Sequence, residues 1–230
     1  MFDWQPVILS LQVAAAALVA VTVLGMGFAY LTARGSFPGK DALETCITLP
    51  LVLPPVVTGF GLLLLIGRQG PIGKILFDTF QIQIVFTPYA AILAAMVVST
   101  PLMYQSAKAA FQSIDLHLED VARTLGAGEV KVFFTITLPL AWPGLLSGIV
   151  LSFSRALGEF GATALVAGNI PGKTQTIPIA IFFAAESNDL RTAGYYVLLI
   201  SLFTFAMVFW VNQWARKKTE RYRGGRMSHC

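Results

Sequence analysis

Five long apolar runs constrain this chain more than any other feature. Each is close to the length that an α-helix needs to cross a bilayer, which is about 20 residues. The runs cover residues 7–33, 47–66, 84–107, 132–153 and 195–214. Only 12% of the residues are charged, against roughly 25% in soluble domains, and the runs lack the polar face of an amphipathic helix. The sequence therefore predicts an all-α, polytopic membrane helix bundle, surrounded by membrane lipid, with about five to six transmembrane helices.

The basic residues indicate which way this bundle faces. Six of the sixteen Lys and Arg residues lie close to the carboxyl end: Arg216, Lys217, Lys218, Arg221, Arg223 and Arg226. Basic residues are enriched at the cytoplasmic ends of membrane spans, so we expect residues 217–230 to form a basic cytoplasmic tail. Five spans then place the N-terminus outside and the loop 112–131 inside, with eleven basic residues inside and four outside. The opposite orientation would invert this bias, and the tail needs no nucleic-acid partner to explain it.

The segment 154–194 is harder to place. It contains two apolar pieces, residues 161–167 and 177–185, that are too short to cross a bilayer as ordinary helices. Three arrangements remain open: helices on the outer side, a re-entrant segment, or part of a sixth span. Five spans with a partly inserted excursion is the prediction.

Prolines are concentrated in the second apolar run, at Pro50, Pro54 and Pro55. Proline lacks a backbone N–H and clashes with the preceding turn, so it bends or breaks a helix. Non-helical backbone at membrane depth occurs where it is buried in protein or lines a water-filled path. We therefore expect a kink that lines the translocation pathway; the alternative is a span that begins only after Pro55.

A second candidate for the pathway is the segment that contains Arg155, Glu159, Phe160 and Gly161. Arg155 and Glu159 are four residues apart and can pair on one helix face. Ionisable groups at membrane depth usually face a pathway or each other. Two interpretations follow: the pair neutralises itself near the outer boundary, or the segment lines the path near an outer gate.

The polar segment 112–131 separates two apolar runs and predicts a short helix. Apolar residues recur in it at helical spacing: Ile114, Leu118, Val121, Ala122 and Leu125. Asp115, Glu119 and Asp120 lie near the start, where negative charge is favourable to the helix dipole, and Gly126 and Gly128 end the helix. A short helix with one apolar face can dock in a groove of a partner protein. A plain surface connector is the alternative.

No catalytic, metal or nucleotide site is expected in this chain. Residues 167–174 are similar to a phosphate-binding loop, but no strand precedes them, the predicted topology places them outside, and Pro171 removes a backbone amide. His117 and His229 are the only histidines, and Cys46 and Cys230 are too few for a disulfide framework or a metal site. Energy would therefore come from a partner that binds ATP. A membrane enzyme or an ungated channel is the alternative from another class.

Residues 119–139 resemble the coupling signature of importer-type ABC permeases. The matching residues are Asp120-Val121-Ala122, then Gly126, then Ile136-Thr137-Leu138-Pro139 at the family spacing. Asp120 stands where the family usually has Glu, directly after Glu119, and Val121 replaces the first Ala. The resemblance implies the type I ABC importer permease fold over residues 1–216. It also implies that these residues couple the chain to the ATPase: Glu119, Asp120, Ala122, Arg123, Gly126, Ala127, Gly128, Ile136, Leu138 and Pro139.

Nearly the whole chain resembles the permeases of bacterial molybdate ABC importers. Leu157-Gly158-Glu159-Phe160-Gly161-Ala162 is similar to the molybdate and sulfate branch, and Asn169-Ile170-Pro171-Gly172 favours molybdate. The resemblance implies a permease in the cytoplasmic (inner) membrane of a bacterium or archaeon that moves an oxyanion, molybdate or also tungstate, by alternating access. The implied partners are a second copy of the chain, two cytoplasmic ABC ATPase subunits that bind ATP, and an extracytoplasmic oxyanion-binding protein. A sulfate or thiosulfate permease is the alternative, because residue chemistry does not separate these oxyanions.

Overall fold

The computed structural model describes residues 3–227, and every regular element in that range is a helix. The helices are α1 Gln5–Arg34, α2 Lys40–Val52, α3 Pro55–Ile66, α4 Pro71–Phe80, α5 Pro88–Gln112, α6 Leu116–Thr124, α7 Glu129–Val132, α8 Leu138–Leu157, α9 Gly161–Val166, α10 Ile177–Glu186 and α11 Leu190–Met227. A π-helical segment, Phe133–Thr137, joins α7 to α8. The prediction of an all-α fold is confirmed. His229, Cys230 and the end of the predicted tail lie outside the described residues.

Four helical stretches are long and apolar enough to cross a membrane: Gln5–Arg34, Pro88–Gln112, Glu129–Leu157 and Leu190–Trp210. The predicted second span differs, because α2 and α3 pass the same test only as a pair and are bent by 119° at the break between them. Counting this pair as one span gives the five that the sequence predicts, the second of them broken.

The packing of α1 on α5 fixes the path of the chain between them. The N-terminal halves of the two helices share one core cluster, and their C-terminal halves share another. Near the ends of the helices, the hydroxyls of Thr32 and Tyr104 lie 2.9 Å apart. The two helices therefore run parallel, so the chain between them has to return across the bundle. The broken α2–α3 pair makes that return.

The other two spans take opposite directions. α8 runs antiparallel to α5, since Ser152 near its end donates through Oγ to the Ser99 carbonyl at 3.3 Å. α11 begins beside the start of α1, where Tyr196 Oη donates to the Asp3 carbonyl at 2.7 Å. The loop between α5 and α8 and the carboxyl end of α11 therefore lie at the same end of the bundle, as the predicted topology requires.

α5 and α8 approach closely because α8 has small residues on the contact face. A Cβ placed on Gly144 would lie 2.6 Å from Ala110 Cβ, and one on Gly148 would lie 2.8 Å from Ser106 Cβ. Without these side chains the two backbones pack directly on each other, as small residues allow between membrane helices.

The segment 154–194 forms an excursion that packs against the bundle. Ala162 and Val166 of α9 are fully buried, and a Cβ placed on Gly59 of α3 would lie 2.6 Å from Ala162 Cα. α10 packs through Ile177 and Ala180 against the starts of α1 and α11. With 6 and 10 residues, α9 and α10 are too short to cross, so the described residues contain no sixth span.

Candidate functional site

α6 is a short helix with a defined start and end. Asp115 caps the start, where its Oδ1 accepts from the backbone N–H of His117 at 3.0 Å. After the helix, Gly126 has a φ of 85°, in the left-handed region that favours glycine at helix ends. The Ala127 N–H then donates to the Ala122 carbonyl at 3.0 Å. The predicted helix and its glycine stop are confirmed.

Leu118, Val121 and Leu125 form an exposed apolar patch, the α6 surface, at this end of the bundle. Leu125 is 82% exposed. Ile114, which the sequence places on the same stripe, is instead buried in the core beside α5 and α8, so the patch belongs to α6 and its end. A group of exposed apolar side chains outside the spanning helices is a candidate site of protein–protein contact.

Arg123 links α6 to the residues beyond the glycine turn. Its Nε donates to Glu129 Oε1 at 2.7 Å and its Nη2 to Glu129 Oε2 at 3.1 Å, while Nη1 donates to Asp120 Oδ1 at 2.7 Å. These bonds, those to Glu129 first, raise the pKa of the Arg123 guanidinium above its ordinary value. The exposed surface from Asp120 to Glu129 therefore carries one cation, Arg123, between two carboxylates.

Glu119 and Asp120 are neighbours in the sequence with opposite surroundings. Asp120 has a side chain that is 64% exposed, whereas that of Glu119 is 1% exposed. Glu119 Oε1 accepts from Arg34 Nη2 at 2.6 Å and from Thr137 Oγ1 at 2.9 Å. Its Oε2 accepts from Arg123 Nη2 at 3.4 Å. The carboxylate of Glu119 therefore points into the chain, toward the end of α1 and the π-helical segment.

Arg34 and Thr137 complete this site, and the sequence did not select either residue for it. Arg34 lies 85 residues before Glu119 and entered the sequence argument only as a charge at the inner end of a span. Thr137 lies inside the coupling signature, at one of its variable positions. A basic residue that ends a span and an acidic residue in the next inner loop are a weak signal for such a pair.

The chain continues from α7 into α8 without a break. The Leu138 N–H donates to the Phe133 carbonyl, which is a π-type bond, and Pro139 follows in the first turn of α8. Since proline has no N–H to donate, the wider turn lies directly before a residue that cannot continue the α-helical bonding. Ile136 and Leu138 are half-buried and Pro139 is exposed.

The break between α2 and α3 follows from its two adjacent prolines. A residue that precedes proline is pushed out of the α region, and Leu53 and Pro54 have extended ψ values of 142° and 137°. Pro50 lies inside α2, one turn earlier. Pro54 and Pro55 are exposed at the bend, so the predicted kink is present and part of it is left uncovered by this chain.

The structure brings two predicted pathway segments together. A Cβ placed on Gly161 would lie 2.9 Å from Pro55 Cβ, so the start of α9 packs on the bend. Beside it, Arg155 Nη1 lies 2.7 Å from Glu159 Oε2, which confirms the predicted pairing. Phe160 packs on Phe182 of α10, with ring centroids 5.1 Å apart.

Within this pair the two residues differ in access. Glu159 is 3% exposed, and its Oε1 accepts from the backbone N–H of Ala162 at 2.8 Å, which caps the start of α9. Arg155 is partly exposed, with 28% of its side chain accessible. Arg155 can therefore face a path, whereas Glu159 holds α8, Arg155 and α9 together.

The segment that is similar to a phosphate loop has a different structure. It lies between α9 and α10, without the strand that such a loop requires. Thr174 Oγ1 donates to the Gly168 carbonyl at 3.2 Å and accepts from the Ile170 N–H at 3.1 Å. The side chain of the loop thus satisfies its own backbone.

The helix bundle, with α6 exposed at one end, has the fold of solved ABC transporter structures. A bacterial ABC transporter that imports the acidic polysaccharide alginate aligns with a TM-score of 0.74 at 16% identity over 93% of this chain and 78% of that chain. The MetNI methionine ABC transporter aligns with a TM-score of 0.66 at 15% identity over 92% and 94%. At such identity the likeness concerns the fold alone.

The chain belongs to the family of binding-protein-dependent transport system inner membrane components, whose model matches residues 8–221. It is 44% identical to the molybdenum transport system permease protein ModB of Escherichia coli (strain K12) over 97% of both chains. It is 49% identical to YvgM of Bacillus subtilis (strain 168), provisionally named a molybdenum transport permease, over 94% of both. It is 36% identical to the probable sulfate permease cysT of Chlorella vulgaris, over 87% of this chain and 76% of that one. Membership confirms the predicted multi-pass inner membrane transport subunit without catalytic activity of its own.

Proposed function

We propose that this chain is the membrane subunit of an ATP-driven importer that moves molybdate across the inner membrane by alternating access. The observation that carries the proposal is the extent of the similarity to a molybdenum permease, 44% identity over 97% of both chains. Similarity confined to the coupling segment would support only an importer permease in general. Here it also includes the bend at Pro54 and Pro55 and the excursion 154–194.

The ATP comes from a partner that docks on the α6 surface. Leu118, Val121 and Leu125 expose apolar area next to the fixed charges of Asp120 and Arg123. The remaining coupling residues lie around them in the turn and at the start of α8: Ala122, Gly126, Ala127, Gly128, Ile136, Leu138 and Pro139. An ATPase subunit with an apolar groove can bind this helix, and a push on it would be transmitted to α5 and α8.

A second copy of the chain supplies the other wall of the path. The bend between α2 and α3 is exposed, with Val52 accessible to 83%. Irregular backbone within a bilayer requires cover from protein or a water-filled cavity. Two copies that meet along this face would place Pro50, Pro54, Pro55 and Arg155 beside a shared path, and each copy would bind one ATPase subunit.

The orientation of the bundle sets the sides of transport. The coupling segment and the carboxyl end of α11 lie at the same end of the bundle, the end that carries most of the basic residues. This end faces the cytoplasm in our proposal, with the N-terminus outside. The excursion 154–194 then lies on the outer side, where an oxyanion-binding protein would release its oxyanion to the permease.

Uptake of labelled oxyanions tests the substrate. We expect cells that lack this chain to lose uptake of molybdate and of tungstate, and to keep uptake of sulfate and phosphate. Re-expression should restore uptake only together with an ATPase subunit whose ATP site is intact. The similarity to a sulfate permease, 36% over 87% of this chain, makes sulfate the second candidate, and loss of sulfate uptake alone would reverse the assignment.

A further inference from the structure

The carboxylate of Glu119 joins three parts of the chain. Glu119 is the one buried residue among the nine of α6. Its Oε1 is shared by Arg34, the last residue of α1, and by Thr137, the last residue of the π-helical segment. Arg123 approaches Oε2 from within α6. The one side chain that α6 buries therefore touches the ends of two spans.

A buried carboxylate keeps this arrangement only while its partners stay in place. Burial of a charge without a partner is costly, and removal of one partner of a buried pair leaves the other uncompensated. Arg34 supplies the opposite charge at 2.6 Å, and Thr137 supplies a second donor at 2.9 Å. A displacement of α6 that kept Glu119 buried would therefore have to carry these partners along.

Two other connections join α6 to the rest of the chain: residues 113–115, where Ile114 is buried beside α5 and α8, and the turn after α6, which the Arg123–Glu129 bonds span. Gly126 and Gly128 lie in the turn that leads to α7, and a Cβ placed on either would meet open space. The other residues of α6 are exposed or half-buried. Among the hydrogen bonds and ion pairs of α6 in the described part of the chain, those of Glu119 are the ones that reach the end of α1 and the end of the π-helical segment.

The π-helical segment is a natural place for α8 to yield. π-type turns occur mostly as single turns within α-helices and are frequent at functional sites. Phe133, at its start, packs edge-to-face on Tyr30 of α1 with ring centroids 5.0 Å apart. Thr137, at its end, is held by Glu119. Both ends of the segment are thus tied to other elements, α1 at one end and α6 at the other.

We propose that Glu119 is the positioning residue that transfers movement of α6 to α1 and α8, with the segment Phe133–Thr137 as the hinge. This inference rests on the proposed function, because it presupposes an ATPase that moves α6. Glu119 itself does not touch the ATPase in this arrangement, because its side chain is inaccessible and both its oxygens are bonded within the chain. Asp120 and the α6 surface bind the ATPase, and Glu119 transmits the resulting movement of α6 to α1 and α8.

The test uses the full permease with its ATPase in proteoliposomes, supplied with a molybdate-loaded binding protein. Glu119→Gln keeps the size of the side chain and an acceptor for Thr137, but loses the charge that pairs with Arg34. We expect this variant to co-purify with the ATPase as the native chain does and to hydrolyse ATP at the basal rate. Molybdate imported per ATP hydrolysed should fall about tenfold, the change in rate that a difference of about 1.4 kcal/mol produces.

The matched control is Glu44→Gln. Glu44 also forms a short pair within the chain, 2.6 Å from Lys108, but it does not contact α6. The control should leave the ratio of transport to hydrolysis unchanged. Thr137→Val deletes one hydrogen bond and no charge, and it should also lower the ratio of transport to hydrolysis. It provides the test if Glu119→Gln is not inserted into the membrane.

Three results would overturn the inference. One is a ratio of transport to hydrolysis in Glu119→Gln that equals that of the native chain, or the same result in Thr137→Val if Glu119→Gln is not inserted. A second is loss of ATPase binding by a stably folded Glu119→Gln, which would place the residue in the docking surface. A third is an equal fall of the ratio in Glu44→Gln. Failure of the native chain to bind any ATPase would instead refute the proposed function.

Discussion

Pro55 and Gly161 lie in contact although they belong to different halves of the chain: a Cβ placed on Gly161 would come within 2.9 Å of Pro55 Cβ and 3.3 Å of the Val56 backbone nitrogen. Pro55 begins α3 directly after the bend, and Gly161 begins α9, whose Ala162 N–H donates to Glu159 Oε1. The two irregular parts of the bundle thus hold each other. The shape of the proposed path depends on this contact.

Gly161→Ala is expected to weaken that contact. The added methyl group meets a rigid proline ring and backbone, so the two elements have to separate, at a cost of about 1–3 kcal/mol in the free energy of unfolding. Molybdate uptake should fall while ATPase binding stays native, because α6 lies at the other end of the bundle. The thermal unfolding midpoint in detergent and uptake by cells measure both effects.

Gly61→Ala is the control for this change. Gly61 lies in α3, as Pro55 does, but a Cβ placed on Gly61 meets nothing within 4 Å. Alanine stabilises a helix interior by about 0.5–1 kcal/mol relative to glycine, so this variant should unfold at an equal or higher temperature. A loss of stability in Gly61→Ala equal to that in Gly161→Ala would show that the contact with Pro55 is not the cause.

Leu125→Arg is expected to weaken docking of the ATPase. Leu125 is 82% exposed at the edge of the α6 surface, so the change leaves the fold intact and places a charge in an apolar contact. Loss of an apolar contact worth about 2 kcal/mol raises a dissociation constant by about 30-fold, and we expect a rise of that order. Leu190→Arg, at a residue 67% exposed at the opposite end, should bind the ATPase normally, and an equal loss in both variants would contradict the assignment of the surface.

The contribution of Arg123 to ATPase binding should not depend on pH. Its pKa is raised, chiefly because the guanidinium donates to Glu129 and then to Asp120. Because the pKa is raised in the folded state, the stabilisation by these bonds is complete at any pH below the ordinary pKa of arginine. It is lost only as the pH rises through the raised pKa. From about pH 6 to about pH 9 arginine stays charged, so the difference in ATPase affinity between the native chain and Arg123→Gln, measured by titration, should be constant.

The role of Arg123 itself is tested by Arg123→Gln. The bonds to Asp120 and Glu129 are exposed, so we expect little change in the unfolding midpoint. ATPase binding should weaken, because the turn at Gly126 is then no longer held to α6. A large fall in the unfolding midpoint with native binding would mean that Arg123 stabilises the fold and does not shape the docking surface.

Much of this architecture follows from local patterns in the sequence. Apolar length predicts the spans, because hydrocarbon thickness fixes how long a spanning helix must be. Gly126 predicts the end of α6, because helices commonly end at a residue in left-handed conformation. The spacing of Arg155 and Glu159 predicts their pair, because residues four apart share a helix face.

Other features depend on contacts between distant parts of the chain. The prolines at 54 and 55 predict a break, but the bend of 119° is set by how α3 packs on α9. The difference between Glu119 and Asp120 follows from where α1 ends, since Arg34 reaches only one of the two carboxylates. The burial of Ile114 likewise depends on core packing beside α5 and α8, which helical spacing alone does not describe.

Val52→Cys tests whether a second copy covers the bend. Val52 ends α2 and is 83% exposed. Without a second copy, the irregular backbone beside it would face lipid, and irregular backbone within a bilayer is not tolerated there. In a chain whose Cys46 and Cys230 are replaced by serine, a short bifunctional thiol reagent should link two copies of Val52→Cys in membranes. Val19→Cys, on α1 and 68% exposed, should face lipid and give no such dimer. Linked dimers from both variants, or from Val19→Cys alone, would place the interface between copies away from the bend, and the proposed path along Pro54 and Pro55 would then lack its second wall.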